Sequence, residues 1–134
     1  MKYHKLLNGC KYGILTAMKI GTDIIQISRI TKVVEKRPEA FKAKYLNESE
    51  IILAKRVETL AGFWAAKEAI SKALGCGIGA HLSFHDIHLS KNTQGAPSFT
   101  LSEKAQKIHK ITDSSLSISH DGGFAIAVVA INTL

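Results

Sequence analysis

Two charged residues, Glu68 and Lys72, lie four positions apart in a segment that is otherwise rich in apolar residues. On a helix this spacing places both side chains on one face. That face also carries Trp64 and small apolar residues, and a carboxylate there needs a positive partner because desolvation of a charge is costly. Two interpretations stay open: a structural ion pair with Lys72, or a Glu68 that binds a metal beside a lysine that meets a phosphate.

Asp23 is a second carboxylate, at the boundary between two predicted elements. It lies in an apolar, β-branched run that predicts a strand over 20–25 with a turn at 21–23, and a helical pattern follows. As a structural residue, Asp23 would cap that helix. As a functional residue, it would project into a cleft with Glu68, and two carboxylates from separate elements suit Mg²⁺.

His120 is the third candidate for chemistry. It shares strand parity with Leu116 and Ile118, which predicts that its side chain points to the packed side of a sheet. An imidazole at a strand end is either a satisfied structural residue or a group that donates to a phosphate or relays a proton. The residues alone leave both roles open.

Helical patterns account for the middle of the chain. Apolar residues at helical spacing from Ile27 predict a helix that Pro38 ends. Asn47 and Glu50 stand in the relation of a capping box, and we expect a long helix from there to Gly75. Because this segment is apolar nearly all round, the helix should be buried.

Short runs bounded by turn residues predict two β-hairpins joined by a short helix. We expect strands over 86–90 and 98–101, a helix capped by Ser102, and strands over 115–119 and 124–131.

Length and composition predict one domain, because 134 residues of which 46% are hydrophobic bury one sizeable core. We expect residues 1–17 to be an N-terminal extension, with Met18 as an alternative start, and 18–134 to be the domain. The net charge of +7 favours an acidic partner without naming it. Cys10 and Cys76 read as free thiols, and no apolar run approaches a membrane span, so we expect a cytoplasmic protein without a membrane partner.

Two blocks of the sequence carry a resemblance to a known family. The block GTDI at 21–24, followed by Arg29 and Ile30, and the block FWAAKEAISKALG at 63–75 resemble the holo-acyl-carrier-protein synthase family of 4′-phosphopantetheinyl transferases. Shorter matches follow in the family's order, at 83–87, 95–97, 117–120 and 125–127. The resemblance covers roughly residues 19–131.

The resemblance implies an α+β fold of the small 4′-phosphopantetheinyl transferase type, with an antiparallel sheet packed on the long helix, in a homotrimer with sites between subunits. It implies transfer of 4′-phosphopantetheine from coenzyme A to a serine of an acidic apo-acyl carrier protein, in fatty acid biosynthesis. Holo-acyl carrier protein and adenosine 3′,5′-bisphosphate would be the products.

The resemblance also implies roles for individual residues. Asp23 and Glu68 would be the Mg²⁺ ligands, and Lys72 would lie against the phosphates of coenzyme A. The general base stays open among Glu68, a metal-bound water and His120. The remaining implied contacts are Gly95, Pro97, Ser119 and His120 for the adenosine end of coenzyme A, and Arg29 and Arg37 for the carrier protein.

The sequence departs from the family's pattern in three places. Phe63 stands where the family commonly has arginine, Ala96 replaces a common basic residue, and residues 1–17 have no counterpart. The first two remove positive charge near the expected nucleotide. Two other functions therefore stay in view: a non-catalytic binder of coenzyme A or carrier protein, and a basic RNA-binding module. The second lacks the aromatic pattern for base stacking, so we expect no nucleic-acid partner.

Overall fold

The computed structural model describes residues 17–134, so most of the predicted N-terminal extension lies outside the described residues. The first strand begins at Ala17, one residue before the predicted domain boundary. The helices are α1 (Ile27–Lys36), α2 (Pro38–Tyr45), α3 (Glu48–Leu53), α4 (Val57–Ala73) and α5 (Glu103–His109), and the strands are β1 (Ala17–Gln26), β2 (Ile87–Lys91), β3 (Pro97–Leu101), β4 (Ile111–Asp121) and β5 (Phe124–Thr133).

Three long strands form an antiparallel sheet in the order β1-β5-β4. In its register, Asp23 of β1 pairs with Ala127 of β5, and His120 of β4 pairs with Ala125. The strands β2 and β3 form a separate antiparallel hairpin that lies beside β4. Both predicted hairpins are confirmed, and the α+β class with an antiparallel sheet on a long helix is confirmed too.

Helix α4 is buried against one face of the three-stranded sheet, as its apolar composition predicts. Two glycines permit the close approach. A side chain at Gly21 would overlap the Ala69 carbonyl oxygen, and one at Gly62 would lie 2.8 Å from a methyl group of Ile118. Since Gly21 is in β1 and Ile118 is in β4, the helix crosses the sheet from the β4 edge to the β1 edge. Its C-terminal half, with the charged pair, therefore lies over β1.

The prediction of one long helix from Asn47 to Gly75 is wrong in one respect. The segment forms two helices, which are separated at residues 54–56. The predicted capping interaction exists, since the Glu50 carboxylate accepts the Asn47 backbone N–H at 2.7 Å. In one straight helix, Glu50 and Lys67 would be roughly 25 Å apart. In the structure they form an ion pair of 2.8 Å, which requires the chain to fold back between them.

Lys67 is fully buried, which the sequence pattern did not predict. Its ammonium donates to Glu50 Oε1 at 2.8 Å, to the Tyr45 carbonyl at 2.8 Å and to the Phe84 carbonyl at 3.0 Å, so all three protons are used. Burial lowers the pKa of Lys67, and the hydrogen bond and charge of Glu50 oppose that effect. The other oxygen of Glu50 accepts the Leu89 backbone N–H, which ties the β2–β3 hairpin to α3 and α4.

Within residues 17–134, no helix combines the length and the apolar composition that a bilayer crossing requires.

Candidate active site

Asp23, Glu68 and Lys72 lie together where α4 crosses β1, although Glu68 is 45 positions after Asp23 in the chain. The Lys72 ammonium donates to Asp23 Oδ1 at 2.8 Å and to the Thr22 carbonyl at 3.2 Å. Across the described residues, no ion pair joins Lys72 to Glu68. The structural interpretation of a Glu68–Lys72 pair is therefore wrong: the lysine neutralises the carboxylate of the other element.

Asp23 is not the cap of the first helix. The strand β1 continues without a turn to Gln26, and Gln26 is the residue that precedes the first turn of α1. The predicted turn at 21–23 is also wrong, because Gly21 serves the close approach of α4 and not a change of chain direction. Asp23 consequently projects from a strand toward α4, and its side chain is 14% exposed.

Glu68 is half-buried, and its surroundings disfavour its charge. Burial raises the pKa of Glu68, the charge of Asp23 raises it further, and Lys72 opposes both effects. Lys72 pairs with Asp23 and acts on Glu68 only through its charge, so within residues 17–134 Glu68 has no ion-pair partner of its own. Clustered carboxylate oxygens are hard ligands of the kind that Mg²⁺ takes, and the remaining charge would be neutralised by a divalent cation.

A cleft of about 320 Å³ opens beside these carboxylates. Its lining combines the polar residues Asp23, Glu68 and Arg29 with apolar wall residues. The sequence had shown Trp64 only as part of an apolar helix face, and the structure makes it a wall of the cleft. The other wall residues are Ile24, Ile25, Ile30, Val33 and Phe41.

His120 lies apart from this cluster. It has the strand parity of Leu116 and Ile118, but it is exposed, so the expectation that it faces packed neighbours is wrong. Its side chain lines an open cavity instead of packing in the core. Because β5 separates β4 from β1, His120 is roughly 10 Å or more from Asp23 across the sheet.

A second, more open cavity of about 680 Å³ surrounds His120. It lies at the turn between β4 and β5, beside the start of α1 and the first turn of α4. The other residues that line it are Gln26, Ile27, Ser28, Glu58, Asp121, Gly122, Gly123 and Phe124.

The other residues implied for coenzyme A lie on the hairpin and on β4. Gly95 has a φ of +87°, which a turn requires and glycine supplies, and Pro97 begins β3. The turn is held by Asn92, whose side-chain oxygen accepts two backbone N–H groups at 2.9 Å. Ser119 is exposed and, by strand alternation, faces away from α4. These residues therefore belong to the β4 side of the molecule, opposite the carboxylate cluster.

The residues that depart from the family's pattern have distinct environments. Phe63 lies on α4 and is buried in the protein core, and the Lys91 ammonium lies 5.7 Å from the centre of its ring. Ala96 is exposed in the hairpin turn. A positive charge is thus present next to Phe63, supplied by β2 and not by the helix.

Arg29 and Arg37 are both exposed. Arg29 lies on α1 at the rim of the carboxylate cleft, and Arg37 lies between α1 and α2. The same two helices carry other exposed basic residues: Lys32, Lys36 and Lys44.

Comparison with known proteins places this site in a family. Residues 19–129 match the model of the 4′-phosphopantetheinyl transferase superfamily. The holo-[acyl-carrier-protein] synthase of Sulfurovum sp. is 63% identical over 115 residues, which are 86% of this chain and 97% of that protein. The enzyme of the same name from Campylobacter jejuni is 54% identical, over 85% of this chain and 99% of that protein.

Solved structures give the same result. The crystal structure of Helicobacter pylori holo-[acyl-carrier-protein] synthase in complex with coenzyme A superposes with a TM-score of 0.81 at 49% identity, over 84% of this chain and 98% of that one. A Bacillus anthracis holo-(acyl-carrier-protein) synthase in complex with CoA (3′,5′-ADP) has a TM-score of 0.74 at 38% identity, over 88% of this chain and 100% of that one. This chain belongs to the 4′-phosphopantetheinyl transferase superfamily, which confirms the family that its motifs predict.

Proposed function

We propose that this protein is a holo-acyl-carrier-protein synthase, which transfers 4′-phosphopantetheine from coenzyme A to a serine of apo-acyl carrier protein in fatty acid biosynthesis. The names of its relatives and their coenzyme A complexes support this activity. The observation that carries it is the cluster of Asp23, Glu68 and Lys72, whose two carboxylates line a cleft together with Arg29 and apolar residues. The products are holo-acyl carrier protein and adenosine 3′,5′-bisphosphate.

Asp23 and Glu68 are the ligands that hold Mg²⁺ in this proposal. Their fit rests on two clustered carboxylates, of which only Asp23 pairs with the Lys72 ammonium, and on the raised pKa of Glu68 that burial and Asp23 cause. When bound, Mg²⁺ supplies charge neutralisation at the pyrophosphate of coenzyme A.

Lys72 binds the phosphates, and its reach supports this role. Its side chain is 55% exposed, so the ammonium can leave Asp23 and follow an anion. Phosphoryl transfer depends mainly on positioning and charge stabilisation, and a lysine provides both without a covalent step. Glu68 lines the cleft, and it is one of three candidates, with a metal-bound water and His120, for the group that accepts the proton of the attacking serine.

The active site lies between subunits of a homotrimer. One chain carries the metal ligands at its β1 edge and the coenzyme A contacts Gly95, Pro97, Ser119 and His120 on the β4 side, so two chains are needed to bring both halves together. The sheet face opposite α4 supports assembly, since it exposes an apolar patch that a small protein normally covers. Its members are Met18, Ile20, Ile24, Phe124, Ile126 and Val128.

The basic residues of α1 and α2 receive the acidic carrier protein. Arg29 at the cleft rim and Arg37 beside α2 would guide the carrier serine toward the carboxylate cluster, with support from the net charge of +7. A basic surface beside a cleft fits a protein substrate that must approach one site.

We place the reaction in the cytoplasm, in keeping with the free thiol of Cys76.

The test is mass spectrometry of several apo-acyl carrier proteins incubated with this protein, coenzyme A and Mg²⁺. We expect one added phosphopantetheine, and we expect Asp23→Ala, Glu68→Ala and EDTA to abolish the gain. Lys107→Met, which removes a lysine from α5, is the matched variant and should retain it. If folded wild-type protein modifies no carrier but binds coenzyme A, the protein is the non-catalytic binder.

A further inference from the structure

The contact between Lys72 and Asp23 involves the same carboxylate that the proposed function gives to the metal. Lys72 donates to Asp23 Oδ1 at 2.8 Å and to the neighbouring Thr22 carbonyl at 3.2 Å. A lysine that has two acceptors on one strand is held at that strand. The ammonium and a divalent cation would therefore occupy adjoining space around one oxygen atom.

We infer that Lys72 competes with the divalent cation for Asp23, so that the metal binds tightly only when the phosphates of coenzyme A draw the ammonium away. The inference rests on the proposed metal site and goes beyond it. It assigns Lys72 a second task, which is to couple the binding of the metal to the binding of the substrate.

Electrostatics gives the direction of this coupling. Two positive groups beside one carboxylate repel each other, and the Asp23 side chain, only 14% exposed, has little access to screening water. Lys72 is the mobile partner because 55% of its side chain is exposed. An anion placed between the ammonium and the metal removes the repulsion, since both cations then contact it.

The neighbouring Glu68 does not relieve the competition. It is half-buried, and no ion pair within residues 17–134 joins it to Lys72. The ammonium is thus directed to Asp23 in particular, and the metal must share that carboxylate with it. A lysine that served only as a phosphate ligand and lay away from Asp23 would have little effect on metal binding in the absence of coenzyme A.

The test measures Mn²⁺ binding to the full chain by the electron paramagnetic resonance signal of free Mn²⁺, without coenzyme A. We expect Lys72→Met to bind Mn²⁺ on the order of tenfold more tightly than wild type. Lys107→Met is the matched control, because it removes the same charge from an ion-paired lysine on α5. Its dissociation constant should equal that of wild type.

A second titration adds coenzyme A. We expect coenzyme A to tighten Mn²⁺ binding to the wild type by a similar factor and to have a much smaller effect on Lys72→Met. Asp23→Asn should weaken Mn²⁺ binding in both backgrounds, which locates the ion. Lys72→Gln serves as the neutral variant if the methionine variant does not fold, as judged by circular dichroism.

The inference is overturned if the neutral Lys72 variants bind Mn²⁺ no more tightly than wild type, or if no variant binds it. The proposed function fails separately: a protein whose Mn²⁺ affinity responds to Lys72 but which modifies no carrier retains the coupling and loses the transferase assignment.

Discussion

Lys67 of α4 and Glu50 of α3 form a fully buried ion pair of 2.8 Å, and their further contacts tie other parts of the fold to it. Lys67 also holds the Tyr45 and Phe84 carbonyls, and Glu50 also holds the Leu89 N–H of the hairpin. Because Lys67 precedes Glu68 in the chain, the pair fixes the helix turn that carries a proposed metal ligand.

Lys67→Met should destabilise the protein by about 3–5 kcal/mol, because it leaves the Glu50 carboxylate buried without its cation. Urea denaturation followed by circular dichroism measures the free energy of unfolding. Lys107→Met, at an exposed ion pair of 3.6 Å, should change it by less than about 1 kcal/mol. A loss of similar size in both variants would contradict the assigned role of the buried pair.

The double variant Lys67→Met/Glu50→Gln should lose less free energy of unfolding than the sum of the losses of the two single variants. Once the lysine is gone, the neutral amide no longer presents a buried charge, while its oxygen still accepts a backbone N–H. A double-mutant cycle from the same denaturation experiments gives the coupling energy. Strict additivity would mean that the two side chains do not stabilise each other.

Gly21→Ala should destabilise the protein by at least about 1–3 kcal/mol, because the added methyl group overlaps the backbone oxygen of Ala69 and α4 must move away from β1. Transfer activity should fall as well, since this movement separates Asp23 from Glu68. Gly79→Ala is the matched control: it has no neighbour within 4 Å, and we expect a change of about 0.5 kcal/mol or less. Thermal denaturation of both variants measures these changes in stability.

How well the sequence predicts this fold depends on how far apart along the chain the interacting residues lie. The hairpins followed from alternation and turn residues, which are local, and both are present. The break at 54–56 depends on a pair 17 positions apart, and the partner of Lys72 lies 49 positions away on β1. Spacing rules within one helix indicated Glu68 as that partner, and only the path of α4 across β1 corrects it. The family's motifs identified the cluster without its geometry.

Asp86 should make the stability depend on acidic pH. Burial would raise the pKa of Asp86, but hydrogen bonds from the Ser83 N–H and from the hydroxyls of Ser102 and Ser83 hold it below its ordinary value of 3.8. A carboxyl whose folded-state pKa is lowered stabilises the fold above the unfolded value, and this contribution is lost as pH falls through the folded pKa.

The comparison of wild type with Asp86→Asn tests this dependence. The free energy of unfolding should differ most at neutral pH, and the difference should shrink as pH falls below about 4. In a protein that also carries Ser102→Ala, the effect of Asp86→Asn on the free energy of unfolding at neutral pH should be smaller. The reason is that Ser102→Ala removes the 2.7 Å hydrogen bond to Asp86 Oδ1. A gap that is constant from pH 7 to pH 3 would show that the carboxylate charge is not responsible.

The apolar face of the sheet gives the prediction that joins fold and function. Ile126 is 40% exposed near the start of the central strand β5, on the face that α4 does not cover, and in the register it lies between Ile24 and Ser119. Burying a glutamate there against another subunit would be costly. We therefore expect Ile126→Glu to be monomeric in native mass spectrometry while it retains the circular dichroism spectrum of the wild type.

If the site lies between subunits, Ile126→Glu should also lose transfer by at least about a hundredfold, since its metal ligands and coenzyme A contacts would no longer meet. Ile52→Glu, at a position 66% exposed on α3, is the matched control and should keep both assembly and activity. Because Ile126 lies outside the carboxylate cleft, the loss would come from assembly and not from a changed metal site. A fully active Ile126→Glu monomer would place the whole site within one chain, and the separation of His120 from Asp23 would then exclude the histidine from catalysis.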